Sequence, residues 1–341
     1  MTALLTGLMW MSVGSSADAA DGFDADAEIR PFAVRMQTEH GMNPAEVERI
    51  LGQAQVSTRV LDAMSRPAEA RLTWAQYRKI FIQPARIDGG VKFWNEHVAL
   101  LDRAQKDFGV PQSVIVAIIG VETLYGRRKG DIKVLDALAT LAFRFPRRAE
   151  FFGRELAQYL LMTREERLDP LTQTGSYAGA MGIPQFIPSS YRHYAVDFDD
   201  DGVRDLLRSE ADAIGSVASY LARHGWEKGG VVTVPAEVDE SRVKPIVDKG
   251  LKPHTAVAEL RKAGVRSRVG LPADAPAALI ELEGDAGREF WLGMNNFYVI
   301  TRYNRSPLYA MAVHQLAEAI AARRGRAASA GARGGPVGGQ S

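Results

Sequence analysis

Apolar residues recur at spacings of three and four along most of this chain, the spacing of helices that bury one face. In "MNPAEVERIL" Asn43 precedes Pro44 at a first helical position, and Glu46 falls in the first turn. "VKFWNEHVALLDRAQKDFGV" continues the period and stops at Gly109, so the chain from Phe23 to Phe108 predicts a helical layer. Pro111 opens a further helix, "RRAEFFGRELAQYLLMTREE" predicts another, and "SEADAIGSVASYLARHGW" a third. A long Gly-, Ser- and Pro-rich stretch separates the last two. After Gly229-Gly230 the grammar changes: "VVTVPAEV", "AALIELEG", "EFWLG" and "FYVIT" are short β-branched or aromatic runs around one helical piece, "HTAVAELRKAG". They predict a small α+β subdomain, followed by a helix over "PLYAMAVHQLAEAIAARR". The tail "GRAASAGARGGPVGGQS" has no apolar periodicity and is expected to be disordered.

With 341 residues, 46% of them hydrophobic, the chain is long enough for more than one core. Lys plus Arg (42) nearly cancels Asp plus Glu (41), and no basic stripe stands out, which disfavours nucleic acid as a partner. Absence of cysteine excludes disulfides, thiolate metal sites and a cysteine nucleophile. The opening "MTALLTGLMWMSVGSSADAADGF" is an apolar run followed by small residues, with Ala17-Asp18-Ala19 as a cleavage site, so residues 1–20 are expected to be an export signal. No later segment approaches the roughly 20 apolar residues of a membrane span.

"VIVAIIGVETLYG", residues 114–126, carries one acid in an apolar helix. Helical periodicity sets Glu122 over Ile115, Ile118 and Ile119, and a carboxyl group among such neighbours resists ionising, as a general acid must. A core Glu satisfied by an amide or an arginine would look the same. "GSYAGAMGIPQFIPSSY", residues 175–191, combines small residues that allow close backbone approach with Ser176 and Gln185 beside Tyr177, Phe186 and Tyr191. Directed hydrogen bonds beside flat rings suit a sugar, and a tight connector has the same composition.

These strings, with "VLDALATLAFRFPRRAEFF", "DFDDDGVRDLLRSEADAIGSVASYLARHGW" and "NNFYVITRYNRSPLYAMAV", resemble the membrane-bound lytic murein transglycosylase B family over residues 30–323. The resemblance implies a mainly α-helical α+β chain: a lysozyme-like catalytic core, an additional helical domain and a small β-containing subdomain. Together with the patterns above, it divides the chain into a signal (1–20), a helical domain (21–108), the core (109–230), the α+β subdomain (231–295), a return segment with the last helix (296–323) and a disordered tail (324–341). It implies cleavage of the β-1,4 bond between N-acetylmuramic acid and N-acetylglucosamine without water, leaving a 1,6-anhydromuramoyl end.

The catalytic residue of the "VET" motif falls on Glu122, which would serve as acid and then as base, with no catalytic cofactor. Ordinary glycosidases use two carboxylates. Asp131, Asp136 and Glu155 are other acids of the core, and nothing in the sequence singles out one as a partner. Ser176 matches a residue that would orient Glu122, and Gln185 a residue lining the cleft. Tyr303, Asn304 and Tyr309 match the "TRYN" region that returns to the site, and Tyr177 and Phe186 are candidate stacking platforms. Arg147 and Arg148 match a pair suited to the carboxylates of peptide stems.

"DFDDDGVRD" sets Asp197, Asp199 and Asp201 at positions 1, 3 and 5 of an EF-hand-like loop, Gly202 at 6, the Val203 carbonyl at 7 and Asp205 at 9. Position 12 is Arg208 rather than Glu. The resemblance supplies Asp212 as the closing acid and implies a structural calcium ion. The expected protein is a soluble, monomeric, periplasmic enzyme acting on peptidoglycan glycan strands. A muramidase using water and a catalytically silent peptidoglycan-binding protein are the alternatives.

Overall fold

A computed structural model describes residues 22–65 and 72–333; the expected signal at 1–20 and residues 334–341 of the tail lie outside them. After a π-helical turn, Ala25–Ile29, come α1 (Arg30–His40), α2 (Pro44–Leu51), α3 (Thr58–Ser65), α4 (Trp74–Phe81), α5 (Pro84–Glu96), α6 (Val98–Phe108) and α7 (Gln112–Thr123). Then follow β1 (Ile132–Lys133), α8 (Val134–Arg144), α9 (Ala149–Glu165), β2 (Thr174–Gly175), α10 (Pro188–Tyr194) and α11 (Glu210–Arg223). The last part contains β3 (Thr233–Glu237), α12 (Lys244–Val247), β4 (Thr255–Ala256), α13 (Val257–Lys262), β5 (Arg266–Ser267), β6 (Pro276–Gly284), β7 (Gly287–Gly293), α14 (Asn295–Tyr303) and α15 (Pro307–Arg333).

Two units result, and neither is continuous in sequence: residues 72–125 with 217–333 form one, residues 22–65 with 126–216 the other. The sequence reading draws successive boundaries at 108, 230 and 295, whereas contacts interleave two stretches of chain in each unit.

In the first unit α7 is buried on all sides from Val114 to Thr123, which explains its lack of a polar face. α5, α6 and α15 pack on it, and α4 and α14 pack on α15. α4 starts on a capping box between Thr73 and Gln76. The sheet has the order β4-β6-β7-β3-β5 with antiparallel pairing throughout. Val234, Val257, Leu260, Leu279 and Leu292 form its core, and β6 and β7 close as a hairpin at Gly284 and Gly287. "VVTVPAEV", "AALIELEG" and "EFWLG" therefore form strands as expected. "FYVIT" does not: it lies in α14, whose Asn296, Phe297, Val299, Ile300 and Thr301 are buried. Burial at helical spacing outweighs the β-branched composition.

The first part of the expected tail is helical. α15 continues through Arg333, because Ala and Arg are strong helix formers even without an apolar stripe.

In the second unit α8 packs on α9, α10 on α9, α3 on α8 and α1 on α2. Asn43 caps α2 by accepting from the Ala45 amide at 3.0 Å. The Gln55 amide donates to Asp136 Oδ1 (3.0 Å) and the Ser57 amide to Thr140 Oγ1 (3.0 Å), tying the first helices to α8.

Candidate active site

Glu122 sits in the last turn of α7, 1% exposed, above Ile115, Ile118 and Ile119, which are fully buried. Such an acid needs a polar partner, since an unsatisfied buried carboxylate is expensive. The Tyr309 hydroxyl, on α15, donates to Glu122 Oε1 at 2.5 Å. Tyr309 is completely buried, and burial together with the neighbouring Glu122 charge pushes its phenol well above the ordinary range. The tyrosine therefore remains a donor whichever state the glutamate takes.

Rings continue from there. Tyr303, at the end of α14, stacks on Tyr309 with centroids 6.3 Å apart and planes 11° from parallel. Burial and the Glu122 charge also push the Tyr303 phenol up. Tyr220 of α11 meets Tyr303 edge-on at 4.8 Å, donates to the Arg302 carbonyl oxygen at 2.6 Å and stacks on His224 at 4.1 Å. Asn304 is buried beside them in sequence, and its carbonyl oxygen accepts from the Ser306 amide at 2.8 Å. The resemblance points to Tyr303 and Tyr309 but not to Tyr220, since one aromatic on an amphipathic helix carries no distinctive signal.

The other predicted site residues belong to the second unit. The Ser176 hydroxyl accepts from the Ala180 amide at 3.0 Å and from the Ala178 amide at 3.3 Å, organising its own turn. Gly175 is required there, since a Cβ would lie 2.2 Å from the Ala180 carbonyl oxygen. Gln185 has a left-handed backbone (φ 51°), and its side-chain NH₂ donates to the Lys129 and Gly182 carbonyl oxygens at 3.0 and 2.9 Å. Tyr177 is partly exposed, whereas Phe186 is 2% exposed and offers no open face. Arg147 is exposed; Arg148 lies over the Phe151 ring, 4.4 Å from its centroid. Asp131 is paired bidentately with Arg59, Asp136 accepts from Gln55, and Glu155 accepts from the Ser189 amide at 3.0 Å. Each of the three additional core acids thus has a structural task within this unit.

The acidic loop brings oxygens of Asp197, Asp199 and Asp212 within 4.8 Å of one another. Asp212 is buried and accepts from the Phe198 and Asp205 amides, both at 2.7 Å. Burial, and then the Asp199 and Asp197 charges, hold its carboxyl up at about 6. Asp201 accepts from the Val203 amide and Asp205 from the Leu207 and Arg208 amides, so these two shape the loop. Three crowded oxygen donors suit a hard cation such as calcium, which would neutralise their repulsion.

Residues 24–318 match the family described as the transglycosylase SLT domain. Over 311 residues the chain is 43% identical to the membrane-bound lytic murein transglycosylase B of Escherichia coli, covering 89% of this chain and 85% of that protein. Among solved structures, the soluble lytic transglycosylase SltB1 of Pseudomonas aeruginosa is similar at TM-score 0.82 and 48% identity, covering 87% of this chain and 99% of that one. The Escherichia coli lytic transglycosylase Slt35 in complex with calcium gives 0.80 and 44%, over 89% and 96%. Pseudomonas aeruginosa SltB3 in complex with NAG-anhNAM-pentapeptide gives 0.75 and 30%, over 86% and 80%. A lysozyme-like fold, a matched domain spanning most of the chain and this level of identity place the chain in the lytic murein transglycosylase B family of enzymes.

Proposed function

We propose that this enzyme cleaves the β-1,4 bond between N-acetylmuramic acid and N-acetylglucosamine in peptidoglycan, using Glu122 as its only catalytic carboxyl. The observation that carries the reading is the buried Glu122 carboxyl held by the Tyr309 hydroxyl at 2.5 Å. Glu122 gives its proton to the glycosidic oxygen, which leaves with the electrons of the C1–O bond. The substrate's acetamido oxygen stabilises the positive C1, and the Tyr309 hydroxyl stabilises the Glu122 carboxylate so formed. The carboxylate then takes the proton of the muramic acid 6-hydroxyl as O6 bonds to C1. Glu122 is reprotonated, an anhydro ring is formed and no water is consumed. The engagement of Asp131, Asp136 and Glu155 elsewhere supports a mechanism without a second carboxylate.

In this reading Ser176, Tyr177 and Gln185 contact the glycan, and Arg147 and Arg148 bind stem carboxylates. The relative solved with a pentapeptide-bearing anhydro sugar supports both the substrate class and the product. Asp197, Asp199 and Asp212 would hold a structural calcium ion, as the calcium complex of Slt35 suggests. Among the described residues no helix is long and apolar enough to cross a membrane, which fits an exported enzyme free in the periplasm.

Digestion of purified peptidoglycan by the full chain and by Glu122→Gln, read by mass spectrometry, tests the reading. Anhydromuropeptides from the wild type alone are expected. Products heavier by one water would make the enzyme a muramidase, and cleavage by both proteins would remove Glu122 from its role.

A further inference from the structure

Helices end cheaply on one left-handed glycine, and α1 and α6 do so at Gly41 (φ 64°) and Gly109 (φ 72°). α7 ends differently. Leu124 (φ 52°) and Tyr125 (φ 61°) are both left-handed before Gly126, a conformation that side chains disfavour. The Leu124 amide donates to the Gly120 carbonyl oxygen at 3.2 Å, and the Tyr125 amide reaches back to that of Ile119 at 3.3 Å. This double reversal folds the Tyr125 side chain under the helix it has just left.

Two helices make room for that ring. A Cβ on Gly120 of α7 would lie 2.6 Å from the Tyr125 hydroxyl oxygen, and one on Gly90 of α5 would lie 2.7 Å from it. Each helix accepts an interior glycine, which disfavours it, at the point where the hydroxyl enters. The hydroxyl donates to the Arg86 carbonyl oxygen at 2.7 Å, and the Arg86 guanidinium, 9% exposed, donates back to the Gly120 carbonyl oxygen. Arg86 also lies over the Phe81 ring, 5.1 Å from its centroid. The ring of contacts therefore closes: Gly120 to the Arg86 side chain, the Arg86 backbone to Tyr125, and Tyr125 to the underside of Gly120. Glu122 lies between the two points at which it grips α7.

We propose that Arg86 and Tyr125 are positioning residues for Glu122, forming a buried brace that fixes the last turn of α7 and hence the carboxyl it carries. The inference rests on Glu122 being the acid. A helix that only needed to end would use Gly126 alone. The strained pair, the two interior glycines and the buried arginine all serve one contact two residues before the acid and three after it. Proton transfer is steep in geometry, and small displacements of a catalytic group reduce turnover about a hundredfold.

The test measures kcat, KM on soluble glycan strands and melting temperature for the full-length wild type, Tyr125→Phe, Arg86→Lys and Glu122→Gln. Tyr125→Phe, which keeps the ring and removes the donor, is expected to lower kcat about tenfold or more with KM within about twofold, the pattern of an interaction needed in the transition state. Unchanged kcat in folded Tyr125→Phe overturns the brace, and so does a raised KM with normal kcat. A lower melting temperature with full turnover by the folded fraction would mark a merely structural contact and also overturns it. Should Tyr125→Phe fail to fold, Arg86→Lys, which keeps the charge but loses the fork, decides by the same criteria. If Glu122→Gln is inert while Tyr125→Phe turns over normally, the brace alone fails. If Glu122→Gln is active, the assignment of the acid fails and the brace with it.

Discussion

Tyr309→Phe isolates a single hydrogen bond at the candidate acid. Phenylalanine fills the volume of a fully buried tyrosine and leaves α15 packed, so the change removes the donor to Glu122 Oε1 and little else. Hydrogen bonds to charged groups are worth about 1.5–3 kcal/mol. The bond strengthens when Glu122 becomes a carboxylate, after it has given its proton to the leaving oxygen, so the loss falls on the transition state rather than on substrate binding. At about 1.4 kcal/mol per tenfold, kcat should fall about ten- to a hundredfold with KM nearly unchanged. The assay is the initial rate of anhydromuropeptide release from purified peptidoglycan, with melting temperature as the control for folding. A folded variant with kcat within twofold of the wild type would refute the claim that this hydroxyl stabilises the working carboxylate.

Calcium should raise the melting temperature relative to chelator, and by more at about pH 8 than at about pH 5, because Asp212, held at about 6, must lose its proton to bind the ion. Equal melting temperatures with and without chelator at both pH values would dismiss the site. Glu155→Gln should flatten the dependence of stability on pH. Burial pushes the Glu155 carboxyl up, with the Ser189 bonds opposing, so the folded chain holds a proton that the unfolded chain loses first. The Glu155 contribution to stability is then fully present at acid pH and is lost as pH rises through the carboxylate range, while the neutral variant avoids that loss; parallel melting curves from about pH 4 to about pH 8 would contradict this. Arg147→Ala with Arg148→Ala should slow turnover of peptide-bearing glycan more than of stem-free glycan, and equal rates on both would remove the pair from stem binding.

What the sequence disclosed follows the range of the interaction. α7, its single acid and the strands β3, β6 and β7 depend on local periodicity and could be read directly. "FYVIT" misleads because its composition favours a strand while its neighbours bury it at helical spacing. The acidic loop was legible to Asp205, but the convergence of Asp197, Asp199 and Asp212 depends on where α11 begins. Tyr220, Arg86 and Tyr125 gave no signal, since their partners lie 82, 34 and 39 positions away, respectively. The small residues at Gly90 and Gly120 are visible in the sequence, but the hydroxyl for which they make room is not.

The bond between Tyr309 and Glu122 spans 187 positions of the chain. At a synthesis rate of roughly 5–20 residues per second, the helix bearing the acid is complete roughly 10–40 s before its tyrosine exists. Throughout that interval the unit that contains Glu122 lacks α15, and for most of it α14 as well, so its core cannot close. A nascent or truncated chain therefore carries the glutamate without the hydroxyl that holds it in the folded protein, so the buried pair arrives with the final helix rather than growing as the chain lengthens.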